Sequence, residues 1–483
     1  MTDTPLTRLS AWAAAVRPGD IPPRVRALAA SQVLSQLTAI RVGAAHPLGA
    51  RLIAAYGEPL QPDPRLAAPV LAGLGSWLNL DDTAYAGHLS NSTVATPLAF
   101  ARGAGGAGLV TAVVVANECA ARITAAATLG PLRGQSALHT HLAGGVAGRL
   151  WCEGADAELF ANAFGLAFAT PPWPLMRAFL ASDARPLCTL NAVRTAMDAC
   201  AGAHAGLRGA TDILEHPDGF LARFATVALP EAVDRRLGEH WHTETLSFKL
   251  HPGGPGIDAA VDAAADLHAE LDGADIADVL VEASAYTLHA DRTARSYLTD
   301  KPLGALVLSV AYPVATALLT GHLTVADLEH PATAAPDRQR LAERVRLVHD
   351  PAMTRALFAS TAPFGAALRA AGERARPWVH RFGSEVAALA EEAMTAPGDE
   401  NYETATKATP ARVTVRLTDG RILTAERSIP LGAAGPDTRA GHADLVREKF
   451  LAAGGPAEVA AAASTVDTMD AGQLVEWVTA ALS

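Results

Sequence analysis

Apolar residues recur at helical spacing through most of the first 250 residues. The stretch RVRALAASQVLSQLTAIRVGA, 24–44, is the second of two helices predicted within 1–50, and Pro22 and Pro23 sit at its permissive start. GEPLQPDPR, 57–65, reads as a loop. Helices follow at about 66–80, 91–102 and 107–129, with Gly103, Gly105 and Gly106 separating the last two. LHTHLAGGVAGRL, 138–150, begins another helix rich in small residues. Gly144, Gly145 and Gly148 would each cost an isolated helix roughly 1 kcal/mol, so they predict a very close helix crossing. DAELFANAFGLAFA, 156–169, opens on an acidic residue suited to an N-cap.

The pattern changes at 276. IADVLVEASAYTL alternates as a strand does, VRLVHD, 345–350, is a second strand, and ARVTVRLTDGRILTAERSIP, 411–430, is a hairpin turning at Asp419-Gly420. These elements predict a mainly α protein: a large all-α domain over 1–248 and 431–483, and a smaller α+β domain over 249–430. The polar stretch 392–410 reads as loose.

Composition narrows the class. Half of the 483 residues are hydrophobic and 18% are charged, which is globular rather than disordered. The net charge of −11, with no Lys/Arg-rich run, argues against a nucleic-acid partner. The longest apolar run, GLVTAVVVAN at 108–117, is too short to span a bilayer and is followed by Glu118 and Arg122, so no membrane span is expected. The N-terminus lacks the basic-then-apolar order of a signal peptide. Cys119, Cys152, Cys188 and Cys200 form no CxxC pair and read as reduced thiols of a cytoplasmic protein.

Several segments, in order, resemble the MmgE/PrpD family: LDDTAYAGHLS at 80–90, VVVANECAARI at 113–123, the small-residue helix and ANAFGLA at 139–167, GATDILEHPDGFLARF at 209–224, FKLHPGGPGIDAAVDA at 248–263, LSVAYPVATALLTGHLTVADL at 308–328, and the closing hairpin and helix. The family includes 2-methylcitrate dehydratase, cis-aconitate decarboxylase and iminodisuccinate epimerase. The resemblance implies a large helical domain with an α+β lid, a homodimer, and a site between the two parts. It implies no metal and no other cofactor. The implied activity is that of a lyase or isomerase acting beside a carboxylate of a small organic acid, by proton abstraction, elimination or decarboxylation.

Such chemistry needs a base and cations that neutralise an enolate-like charge. His88, which follows the acidic pair in a Gly/Ser/Asn-rich loop, is the candidate base. The resemblance implies catalytic roles for Lys249, Tyr312 and Asp82 as well. Asp81 and Thr83 are implied substrate-binding residues, and one aspartate could fix the His88 tautomer. Departures stand beside these matches. Arg133 occupies the place of a family histidine and Arg185 that of a family lysine. Arginine keeps the charge but cannot shuttle a proton. His251 stands near a family tyrosine position. His139 and His141, read as extended, would share a face; with no third ligand identifiable, they are candidates for the substrate pocket rather than a metal. Two other readings stay open: a tailoring enzyme acting on a larger biosynthetic intermediate, and a non-catalytic ligand-binding protein.

Overall fold

The structure, a computed structural model, describes residues 2–85, 87–130, 139–254, 256–300, 302–397 and 401–483. It is mainly α. Prolines open several of the early helices, including Pro5–Ala15, Pro23–Ala45 and Pro64–Ser76. Proline suits the first turn because its missing N–H has no intrahelical partner there. A third helix, Pro47–Tyr56, follows the second at once, because the His46 ring accepts the Leu48 N–H and caps it. The helix Ala157–Ala167 is capped by Asp156, which accepts the Leu159 N–H at 2.9 Å.

The main apolar core lies among these helices and takes in Phe450, Leu474 and Trp477 from the closing ones. Gly105–Ala126 runs through its middle. By length and composition this helix could cross a membrane, yet its apolar window is wholly buried inside the chain. His139–Cys152 lies against it. The glycines of that second helix meet close neighbours on two sides. A Cβ on Gly144 would stand 2.3 Å from Ser92 Oγ, and one on Gly145 would stand 2.7 Å from Ala196 Cβ. The close crossing expected from the glycines is therefore present.

Two short strands, β1 (Thr83–Ala84) and β2 (Gly87–His88), pair antiparallel within the helical part. The larger sheet comprises β3 (Ile276–Ala283), β4 (Val345–His349), β5 (Ala411–Leu417) and β6 (Ile422–Arg427), in spatial order β4-β3-β5-β6. β3 runs parallel to β4 and antiparallel to β5, and β5–β6 is the hairpin. Val279, Val281, Val413 and Val415 are buried in one apolar cluster with Ala260, Val261 and Ala264 of the helix Asp258–Leu271 and with Val314 of Ala311–Thr320. That cluster also contains Leu78 and Leu80, the residues just before the acidic pair. A third cluster gathers Leu357, Leu368 and Trp378 around Leu129 and Leu229.

The stretch 392–410 is not loose where it is described. It completes the helix Ser384–Thr395, forms a turn at Tyr402–Thr404, and bridges Lys407 to Ala362. Lys407 and Thr409 are buried. Polarity here serves a buried site rather than solvent, which a polar-equals-loop reading misses.

Gly144→Val should destabilise the fold by about 1–3 kcal/mol, because backbone-anchored neighbours cannot clear the new methyls. Gly441→Ala, in the helix Pro436–Ala452 with nothing within 4 Å of the added carbon, should instead stabilise by up to about 1 kcal/mol. Chemical denaturation of both variants checks the contrast.

Candidate functional site

The acidic pair follows the helix Pro64–Ser76 through a sharp turn. Asn79 adopts φ +59, a left-handed conformation that asparagine tolerates, and redirects the chain. The β1–β2 hairpin then returns it, with Thr83 facing His88 across the ladder. Tyr85, at φ +51, makes the second left-handed turn. The hairpin thus carries His88 back beside Asp81. His88 lies on a strand rather than in a loop.

Asp81 is fully buried and is the hub of the site. Its Oδ2 lies 2.6 Å from His88 Nδ1 and accepts Asn91 Nδ2 at 2.8 Å. Its Oδ1 lies 3.7 Å from Lys249 Nζ. Burial opposes ionisation of Asp81, but the charges of His88 and Lys249, the His88 hydrogen bond and the Arg185 charge outweigh it. They hold this carboxyl well below the usual carboxylate range. His88 is shifted down, first by burial and against the pull of Asp81, so its ring is neutral at pH 7. The side chain keeps 17% exposure, which makes it the open edge of an otherwise sealed group.

Lys249 is delivered by the backbone. Ser247 pairs with Thr83 through two hydrogen bonds, at 2.8 and 3.0 Å. The segment before it is tied to the central helix by Glu118, which accepts the His242 and Thr243 N–H groups and the Thr243 hydroxyl. One turn on, Arg122 donates to the Arg235 and His240 carbonyls. The one-turn Glu/Arg pair seen in the sequence is thus a staple. Lys249 Nζ is buried without a hydrogen-bond partner among the described residues, and burial lowers its pKa. Arg185, at the start of the helix Arg185–His204, donates Nη2 to Asn79 Oδ1 at 2.6 Å and lies over the Phe179 ring. Its Nε and Nη1 have no partner among the described residues, and burial pushes its pKa down to about 10.

The two aspartates do not share a task. Their side chains meet different partners. Asp82, to which the family resemblance assigns a catalytic role, instead accepts Ser35 Oγ at 2.7 Å and Ser90 Oγ at 3.2 Å, with Lys449 Nζ at 3.8 Å. Burial pushes it up to about 6. Lys449 in turn donates to Ser35 Oγ and the Leu80 carbonyl. It is Asp81 that orients His88, and Asp82 anchors the turn from beneath.

Thr83 accepts a hydrogen bond from Lys407 Nζ at 2.6 Å. Beyond Lys249 the chain reaches His251, whose Nε2 is 3.3 Å from Asp262 Oδ1 and whose Nδ1 is 3.9 Å from Asp258. Burial works against the charged ring, but these carboxylates raise its pKa overall. His251 is therefore committed to its own acidic pair. His139 and His141 open a helix rather than an extended segment, so their side chains point to different sides. His139 packs on Phe220, with ring centroids 4.9 Å apart. His141 joins the site. It bonds Ser92 Oγ through Nδ1, and its Nε2 has no partner among the described residues. It is pushed down to about 3, first by burial and then by His88.

Tyr312 does not join the group. Its hydroxyl donates to the Asp327 carbonyl at 2.7 Å, and its ring lines a separate cavity with Asp291 and Arg295. Tyr312 lies in the first turn of the helix Ala311–Thr320, and helix phase turns its side chain into the second core. Arg133 lies outside the described residues. Motif spacing singles out neither Lys407 and Lys449 nor Asn91 and Asp258, all of which the fold brings to this region. The scarcity of lysine is the signal that could have found two of them, since the chain has only four. Among the described residues no three His, Cys, Asp or Glu side chains gather as a metal site.

Residues 7–231 match the model of the MmgE/PrpD N-terminal domain, and residues 251–367 match that of the MmgE/PrpD C-terminal domain. No curated protein matches the chain.

Asp81→Asn should destabilise the protein by about 3–5 kcal/mol at pH 7, because buried cations lose their counter-charge. The folded pKa of Asp81 lies below its ordinary 3.8, so its contribution is present above that value and is lost as pH falls. The stability gap between wild type and variant, read by urea titration, should therefore narrow below about pH 4.

Proposed function

Since the chain belongs to the MmgE/PrpD family, whose members are generally of dehydratase and lyase type, we propose that it removes a proton, or carbon dioxide, beside a carboxylate of a small organic acid. One observation carries this reading. The Lys249 ammonium and two nitrogens of Arg185 are buried without hydrogen-bond partners among the described residues, around the carboxylate that orients a neutral histidine. An unsatisfied buried charge costs several kcal/mol, and an anionic ligand offsets that cost.

The roles follow from the atoms. Asp81 accepts the His88 Nδ1 proton, which leaves Nε2 as the basic nitrogen. Asn91 holds the same carboxylate oxygen and so fixes its angle. Neutral His88 takes a proton next to the bound carboxylate. Lys249 and Arg185 hold that carboxylate and stabilise the negative charge that develops on it. His141, kept neutral by burial, packs beside His88 without repelling the proton it receives. Elimination, decarboxylation and epimerisation all pass through charge developing beside a retained carboxylate, so one arrangement serves each.

Purified protein should turn over at least one of 2-methylcitrate, cis-aconitate and iminodisuccinate. His88→Ala should then lose about 10²–10⁴ in kcat. Arg185→Gln and Lys249→Met should raise KM and also lower kcat, since both side chains hold the acid and stabilise the charge that develops on it. Wild-type turnover by the His88→Ala variant would remove the histidine from the mechanism. Inertness toward all three acids would remove the substrate class.

A further inference from the structure

The chain's use of basic residues is lopsided. Of its 39 lysines and arginines, four are lysine: Lys249, Lys301, Lys407 and Lys449. Lys301 lies outside the described residues. The other three are all buried, and all three meet the Asp81–Asp82–Thr83 turn. Among the described residues, every other position held by one of these two residue types is an arginine. Arginine supplies charge as well as lysine does, but it does not give up a proton at accessible pH. That every described lysine lies at this turn points to a demand there for a cation that can be deprotonated.

Lys449 and Lys249 each have a carboxylate within 4 Å, Asp82 and Asp81 respectively. Lys407 has none among the described residues. Its described contact is the Thr83 hydroxyl, at 2.6 Å. The charged groups facing it are Lys249, which repels its proton, and Asp258, which attracts it; Asp81 and Asp82 immediately precede Thr83 on the chain. Tyr286 faces Asp258 from the neighbouring helix.

Resting on the function proposed above, we infer that Lys407 is the proton donor of the site, acting through Thr83, and takes the part that Arg185 cannot play. Lys407 gives a proton to Thr83 Oγ1 as the Thr83 hydroxyl gives its own to the departing or carbanionic atom of the bound acid. Lys407 is left neutral and Thr83 unchanged; in elimination or epimerisation His88 holds the proton it abstracted, in loss of carbon dioxide it has taken none, and exchange with water restores the starting protonation. Burial, and after it the Lys249 charge, bring Lys407 down to about 7, where an ammonium parts with its proton readily. Thr83 is then a relay atom rather than a substrate anchor alone.

Lys407→Arg keeps the charge and tests the proton. The variant should melt as wild type does, keep its KM, and lose about a hundredfold or more in kcat. Wild-type kcat should fall as pH rises through about 7, since the donor must be protonated, and the variant should lack that limb. Turnover within tenfold of wild type, with the limb retained, would overturn the inference. A second measurement needs no substrate. Protein carrying ε-13C-lysine should give four signals, and Lys407→Arg should delete one. That signal should titrate near neutrality in the wild type. Titration at the ordinary lysine value overturns the inference even where every acid tried is inert, and inertness with a near-neutral signal counts against the substrate class instead.

Discussion

A single buried carboxylate organises the candidate site. Asp81 meets the side chains of His88 and Asn91 just downstream, and that of Lys249 after the long helical run. Arg185 feels its charge through the Asn79 turn. A carboxylate in a dry interior is costly, and only close cations and hydrogen bonds make ionisation favourable there. The same requirement runs the other way. Lys249 and Arg185 tolerate burial only while that charge persists. Their remaining bare N–H groups leave the cluster short of negative charge, and this shortage is what makes it receptive to an acid.

The rest of the fold holds those few atoms in register. Gly144 and Gly145 let the helix His139–Cys152 press against Ser92 and Ala196, which fixes the short helix that carries Ser90 and Asn91. Glu118 and Arg122 use a buried one-turn pair to clamp the 235–243 backbone, so that Ser247 meets Thr83 and Lys249 enters the site. Asp82, Ser35 and Lys449 lock the turn from the opposite side. Side chains with no contact to a ligand thus set the geometry of those that would have one. Hydrogen-bonded staples suit this task because they are directional, whereas apolar packing alone tolerates sliding.

Lys407 shows how far apart in the chain such a site is built. It comes from position 407 and bonds position 83. The polar run around it looks like a surface connection, and only its burial separates a functional lysine from a solvated one. Among the described residues the other basic side chains of this kind are arginines, and that contrast has a chemical rather than an electrostatic logic.

Much of the architecture was legible in the sequence. Periodicity marked the early helices, alternation marked β3, β4 and the β5–β6 hairpin, and three glycines announced a close crossing. These signals are local, and local backbone preference decides them. His88 and Lys249 were also legible, because their order along the chain resembles a known family. What the sequence could not decide was which way each side chain faces. Asp81 and Asp82 are indistinguishable in a string of letters, yet the fold gives them different partners, His88 and Asn91 for one and Ser35 and Ser90 for the other. His139 and His141 turn apart because their segment is helical, and Tyr312 turns into a second core because its hydroxyl finds a carbonyl there. Lys407 reaches Thr83 across 324 residues, a pairing set by how the cores pack and by no periodicity. Backbone pattern is a property of neighbours in sequence; convergence of charges is a property of the folded interior, where desolvation selects which groups must meet.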